Sequence, residues 1–246
     1  MKKTVKKLLS LLLIFSFVIV VQIPVLAKNV TESTATGTRT NLVFQEGRPG
    51  DAHLVYTYDQ DNKSFKVEEN FSDDLTNGNS TVYVKNSDGN YVVFSTQKVS
   101  TTSNGDLNIT ITDIKKSIEK HVIPANTVSK KIAPKVTIDG DEWITLYRSG
   151  STNIKNFTIN AIIAACGAIA TYYCSSAGGQ TIIAGLTSLA TSLFNYNVTT
   201  AYYNTIYNWR NSPRNWLVID ETEWTDWYSD SAHNNWINYT YYGYIY

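Results

Sequence analysis

The sequence predicts an α+β protein in which β-rich hairpins and strands flank a hydrophobic helical hairpin. Three observations carry that prediction. Short segments of alternating apolar and polar residues, separated by turn residues, recur between residues 42 and 123. The 54 residues from 156 to 209 contain no Asp, Glu, Lys or Arg, in a chain that is 17% charged. Beyond them aromatics crowd the C-terminal region, with Trp216, Trp224, Trp227 and Trp236 followed by Tyr239, Tyr241, Tyr242, Tyr244 and Tyr246. Strand types on both sides of a segregated helical segment give the α+β layer pattern.

The first 27 residues have the three parts of a signal peptide. Lys2, Lys3, Lys6 and Lys7 make a positive start, an apolar run follows from residue 8 to 21, and Pro24 precedes a small residue, Ala27, at the expected cleavage site. The apolar run, about 14 residues, is short of the ~20 that span a bilayer as a helix. The protein is therefore expected to be secreted, and released rather than tethered, because no lipidation cysteine or sorting motif is recognised.

Cleavage changes the charge. The whole chain balances 21 basic against 21 acidic residues, but four lysines and no acids lie in residues 1–27. Subtracting them leaves 17 basic against 21 acidic residues, a net charge of −4. Nucleic-acid binding needs basic patches that neutralise phosphates, so nucleic acid is excluded as a partner. Simple cationic attraction to anionic lipid is excluded on the same ground.

Residues 28–41, rich in Thr, read as a flexible leader. A small β-rich unit is expected over 42–123. Strands at 52–58 and 64–71 flank a turn at 59–62, and strands at 81–85 and 91–95 flank a turn containing Gly89. Residues 107–112 alternate as another strand, after which Asp113 is placed to cap a short helix with Ile114, Ile118 and Val122 on one face. Pro124 and Pro134 mark a linker over 124–135. The α+β unit of 136–246 begins with a strand at 143–148 and continues into the helical hairpin, about 154–209. Gly178 and Gly179 are suited to its turn. Small residues at i, i+4, among them Ala161 with Ala165 and Ala164 with Ala168, allow close helix packing. Strands at 216–219, 223–228 and 236–242 follow.

Catalytic signatures are missing. The chain has no H-E-x-x-H, G-x-S-x-G or P-loop, and His53, His121 and His233 are isolated. Asp220, Glu221, Glu223 and Asp226 contain the spacing of a carboxylate pair, but alternating acids on a strand read as a solvated face. Asp59 with Asp61, and Asp139 with Asp141 and Glu142, fall short of a calcium loop. No cofactor and no metal site is expected. Cys166 and Cys174, eight residues apart, would stand ~12 Å apart on continuous helix, too far for the ~4.4–6.8 Å of a disulfide. They read as two buried thiols, and can pair only if the helix ends before Cys174.

The layout resembles that of secreted Gram-positive proteins of the large-protein geobacillin, bacteriocin-like family. The matching stretches are 56–71 (YTYDQDNKSFKVEENF), 160–190 with Gly178 and Gly179 inside, and 227–241 (WYSDSAHNNWINYTY). The resemblance implies antibacterial, membrane-directed action and offers no catalytic residues. The expectation is then a non-enzymatic protein whose hairpin engages target-cell membrane lipid. Its contact residues would be Phe157, Ile162, Ile163, Ile169, Ile182, Ile183, Leu186, Leu189, Leu193 and Phe194. Tyr196, Tyr202, Tyr203, Trp209, Trp216, Trp224, Trp227 and Trp236 would sit at the interface. The alternative is an extracellular or cell-wall-associated binding protein whose hairpin is buried core, its tryptophans forming a platform for stacking sugars.

Overall fold

In the first half of the chain, period-two alternation of β-branched and aromatic residues builds strand after strand, each turning back on the last. The computed structural model describes residues 37–124, 142–171, 183–212 and 215–244. Strands β1 (Thr40–Glu46), β2 (His53–Gln60), β3 (Lys63–Phe71), β4 (Gly78–Lys85), β5 (Tyr91–Thr101), β6 (Leu107–Asp113) and β7 (Ile118–Ile123) form one antiparallel meander, sheet A. A second antiparallel sheet, B, runs in the order β11 (Trp236–Tyr244), β10 (Asn215–Tyr228), β9 (Thr200–Ser212), β8 (Ile144–Asn153). Two short helices, α1 (Ile159–Ala170) and α2 (Ile183–Asn195), are inserted between the paired strands β8 and β9.

This architecture corrects the predicted class. The protein is mostly β, and a helical hairpin spanning 154–209 does not exist. Helix α2 stops at Asn195 in a Schellman arrangement: Asn197 takes a left-handed φ of 49°, Asn197 N donates to Phe194 O, and Val198 N donates to Leu193 O. From there the segment alternates, with Ala201, Tyr203, Thr205, Tyr207 and Trp209 buried and the residues between them more exposed. Absence of charge marked burial; the period shows it to be the burial of a strand. The helix expected after Asp113 is also a strand. Asp113 instead closes a turn, accepting from Ser117 N at 2.9 Å, and Ile118 and Val122 belong to β7 with their side chains exposed. The strands expected at 216–219 and 223–228 are one strand, β10.

Both sheets and both helices contribute to one hydrophobic core. On the sheet A side, Phe194 of α2 meets Tyr56 and Tyr58 of β2 edge-on, with ring centroids 5.4 and 5.1 Å apart. On the sheet B side, Trp227 and Tyr242 join the cluster. The helix residues expected to meet lipid are in this core: Phe157, Ile162, Ile163, Ile169, Leu186, Leu189, Leu193 and Phe194 are all buried. Ile182, Gly178, Gly179, Cys174, Ala27 and the rest of residues 1–36, together with the side chains of Ile183 and Trp216, lie outside the described residues. At 12 and 13 residues the helices are ~18 and ~20 Å long, short of the ~30 Å hydrocarbon thickness. Among the described residues no helix is long and apolar enough to cross a membrane.

Helix α1 is held to sheet A by polar groups in the middle of that core. Glu69, Ser80 and Gln97 face inward on one rung of β3, β4 and β5, and all three are buried. The start of α1 lands on them. Thr158 N donates to Gln97 Oε1 at 3.1 Å, Thr158 Oγ1 donates to Glu69 Oε2 at 2.8 Å, and Asn160 N donates to Glu69 Oε1 at 3.3 Å. Ile159 N donates to the hydroxyl of Tyr56 at 3.1 Å. These bonds satisfy amides that a helix leaves unpaired in its first turn. Asn160 reaches the other way, accepting from Gly50 N and donating to Asp51 O, and so ties the β1–β2 loop to the helix. The C-terminal end of α2 has its own anchor. Arg39, just before β1, donates from Nη1 to Phe194 O and from its backbone N to Asn195 O, both at 3.0 Å, where a cation suits the helix dipole.

Burial raises Glu69 from 4.5 to about 7, against the lowering effect of its hydrogen bonds. A carboxyl raised on folding favours the folded state most below its unfolded value, and the advantage is lost as pH rises through the folded value. Stability should therefore fall between pH 4.5 and about 7 by an amount on the order of 3 kcal/mol. Urea unfolding of the wild type and Glu69→Gln across that window should show the decline only in the wild type, apart from a share from exposed His53, raised by Asn70 and Glu46. The core makes a second prediction. Leu189→Ala should cost about 2–5 kcal/mol in the same assay, and Ala165→Asp, at a fully buried position, should prevent folding altogether.

Candidate functional site

Sheet B has two faces of different character, set by the alternation of side chains along its strands. Its inner face carries Ala201, Tyr203, Thr205, Tyr207, Glu221, Glu223, Thr225, Trp227, Thr240 and Tyr242, all buried. Its outer face is open over much of its area, and register sorts its side chains into rungs that cross all four strands. The central rung is Tyr147, Ile206, Trp224 and Tyr241. Each of the four is exposed, from 37% for Trp224 to 75% for Tyr147.

Hydrogen-bonding groups, neutral but for Asp226, line both sides of this rung. One flanking rung is Thr145, Asn208, Thr222 and Gly243. Thr145 Oγ1 donates to Asn208 Oδ1 at 2.7 Å, and Asn208 Nδ2 reaches Thr222 Oγ1 at 3.5 Å. The other is Ser149, Asn204, Asp226 and Tyr239. There Asn204 Nδ2 meets His233 Nδ1 at 2.9 Å, and the Trp236 indole donates to Asp226 Oδ1 at 3.1 Å.

The rings are held in place by their neighbours. Trp224 stacks on Tyr239 with centroids 4.2 Å apart and planes 10° from parallel, and meets Tyr241 at 6.0 Å. His233, held at a left-handed φ of 57° in the β10–β11 loop, stacks on Tyr228. Tyr241 leans along β11 over Gly243. A Cβ at Gly243 would stand 2.6 Å from the Tyr241 hydroxyl and 3.0 Å from the ring carbon that bears it. The missing side chain lets this ring lie down on the sheet with one face toward solvent.

Charge is nearly absent from the site. The Asp226 carboxylate is engaged by Trp236, and Arg210 at the margin is paired with buried Asp220 at 3.2 Å and lies over the Trp143 ring. The arrangement can stack a flat or amphipathic ring and hydrogen-bond its edges. It offers nothing of the kind that neutralises phosphates.

The structure separates the predicted interfacial aromatics. Trp224 and Trp236 are exposed on the outer face, and Tyr202 is half-buried there. Tyr203, Trp209 and Trp227 face inward and are buried. Tyr196 is exposed beside Arg39, Ser192 and Asn195, lining a shallow hollow at the end of α2. Tyr147 and Ile206, which complete the central rung, were not among the expected contacts. Their signal was alternation: in β8, Ile144, Leu146 and Arg148 face in while Thr145, Tyr147 and Ser149 face out.

Other candidates dissolve. The acids of β10 are not a solvated face: Asp220, Glu221 and Glu223 are buried, and Glu221 accepts from Tyr207 at 2.9 Å. Glu69 has the perturbed carboxyl that active sites often show, but it is fully buried and spends its oxygens on α1. Cys166 is a buried thiol, pushed well above its ordinary range by desolvation. Asp59 accepts from Asn41, and among the described residues no group of three His, Cys, Asp or Glu gathers to hold a metal ion. No protein family, no curated protein and no solved structure matches this chain.

The geometry at Gly243 makes a prediction of its own. Gly243→Ala should leave the fold intact, since the tip of Tyr241 can swing away, but should raise that ring off the sheet. An increase in Tyr241 ring mobility by NMR with an unchanged far-UV circular dichroism spectrum is the expected result.

Proposed function

We propose that this is an extracellular, non-enzymatic binding protein whose outer sheet B face holds an uncharged glycan, with cell-wall polysaccharide as the class of target. One observation carries the reading: an exposed rung of Tyr147, Ile206, Trp224 and Tyr241 flanked on both sides by hydrogen-bonding side chains, of which Asp226 alone is an acid. A pyranose ring is amphipathic in the same way. Its C–H faces are apolar and stack on Trp and Tyr rings, while the hydroxyls at its rim seek partners such as Thr145, Asn208, Thr222 and Asn204. Large exposed apolar patches on soluble proteins mark interaction sites, and Trp and Tyr dominate the energetics of such contacts. The near absence of charge on the face favours a neutral ligand over phosphate-rich polymer or anionic lipid.

The N-terminal pattern of lysines, apolar run and Ala27 supports export. The antibacterial action implied by the family resemblance would, on this reading, be directed at the wall glycan through sheet B. The helices serve the core.

Retention of the purified protein on insoluble peptidoglycan and on cellulose tests this directly, with neutral and anionic vesicles in parallel. Retention on at least one glycan is expected, with no vesicle binding. Trp224→Ala should raise the dissociation constant at least tenfold, about 1.4 kcal/mol, without changing the unfolding midpoint by more than the loss of one half-exposed ring. Binding to vesicles alone, or glycan binding indifferent to Trp224→Ala, would reject the reading.

A further inference from the structure

We infer that the ligand lies across the strands, from Tyr241 to Tyr147, and that the site therefore takes an extended oligosaccharide rather than a single sugar. This rests on the glycan reading and adds to it a direction and a minimum length. Along β10 the outward residues are Thr222, Trp224, Asp226 and Tyr228, so aromatic and polar groups alternate and no apolar track continues. Across the strands, Tyr147, Ile206, Trp224 and Tyr241 are consecutive and all exposed. Three inter-strand steps of ~4.8 Å make this track roughly 14 Å long, beyond the reach of one pyranose ring.

The competing track runs along β11, through Trp236, Tyr239 and Tyr241. The Trp224–Tyr239 stack takes one ring face from each track, and on β11 the Trp236 indole N–H is also taken by Asp226. Tyr241, laid over Gly243, and Tyr147, three-quarters exposed, keep ring surface available at the two ends of the cross-strand track. Ile206, a shorter side chain, stands between Tyr147 and Trp224. The flanking rungs run parallel to the track, which sets Thr145, Asn208 and Thr222 on one side and Ser149 and Asn204 on the other to meet successive sugars of a ligand laid along it. Tyr147, on an edge strand and mostly in solvent, contributes little to the core, so its substitution isolates binding from folding.

Calorimetric titration with β-1,4-linked N-acetylglucosamine oligomers and cello-oligomers of one to six sugars tests the inference. Affinity should climb with length and then level once the chain spans the track. Tyr147→Ala should leave the shortest binding oligomer unaffected and lower the affinity of the longest roughly tenfold, a larger loss on the longest than Trp236→Ala causes. Equal affinity at every length overturns the inference, as does a loss on Trp236→Ala with none on Tyr147→Ala; in either case the glycan reading stands. If only insoluble polymer binds, wild-type retention of Tyr147→Ala overturns it too. Failure of oligomers and polymers alike removes the glycan reading itself, and the inference with it.

Discussion

A helix that begins inside a hydrophobic core needs partners for its first amides, and in this protein a carboxylate and its neighbours on sheet A supply them. Glu69, Ser80, Gln97 and Tyr56 form a polar island facing Thr158, Ile159 and Asn160. The island fixes where α1 starts, because any shift along the sheet would leave buried donors unpaired at a cost of about 1–3 kcal/mol each. With α1 fixed, Ile162, Ile163 and Ile169 are committed to the core. Arg39 performs the corresponding service at the far end of α2, where it closes the last carbonyls. Apolar packing makes the core stable, and these two polar anchors set its register.

The helices, once placed, relieve sheet B of having to be symmetrical. Its inner face is covered and can be bulky and apolar, as Trp227, Tyr203 and Tyr242 are. Its outer face is open over much of its area among the described residues and still aromatic, which folding alone does not demand. A cross-strand pair such as Trp224 and Tyr241 contributes about 0.2–1 kcal/mol to the sheet, so part of this aromatic content is structural. Tyr147 does not share that excuse. It faces Ile206 across the strand and gives most of its surface to water.

Much of sheet A was legible because its strands are short, alternate cleanly and join through turns of Asn, Asp and Gly. The apolar stretch that holds α1 was visible, but its start at Thr158 was not marked, because the hairpin was expected from about residue 154. The C-terminal half of the charge-free segment misled because hydrophobicity and period were read together. Lack of charge reported the burial of the helices and of one face of β9 but not the exposure of its other face, while Asn197, Thr199 and Thr200 already announced a change of period. Glu69 left a sign in the sequence: it occupies an inward position between Val67 and Phe71, where a solvated carboxylate has no place. The aromatic track could not be read. It exists only after β8, β9, β10 and β11 have taken their registers, and those pairings join residues far apart in the chain.

The insertion of both helices between β8 and β9 also shapes how the molecule assembles. Sheet A joins only sequence neighbours, whereas pairing β8 with β9 must close over the 46 residues from 154 to 199. Local contacts form early and long closures late. A chain made from its N-terminus therefore presents the meander of sheet A while α1 is still to come. Until then Glu69 has no partner from α1, and burying its charged carboxyl without one is costly. The arrival of Thr158 and Asn160 removes the objection. The buried acid thus ties closure of the core to the segment whose amide and hydroxyl satisfy it.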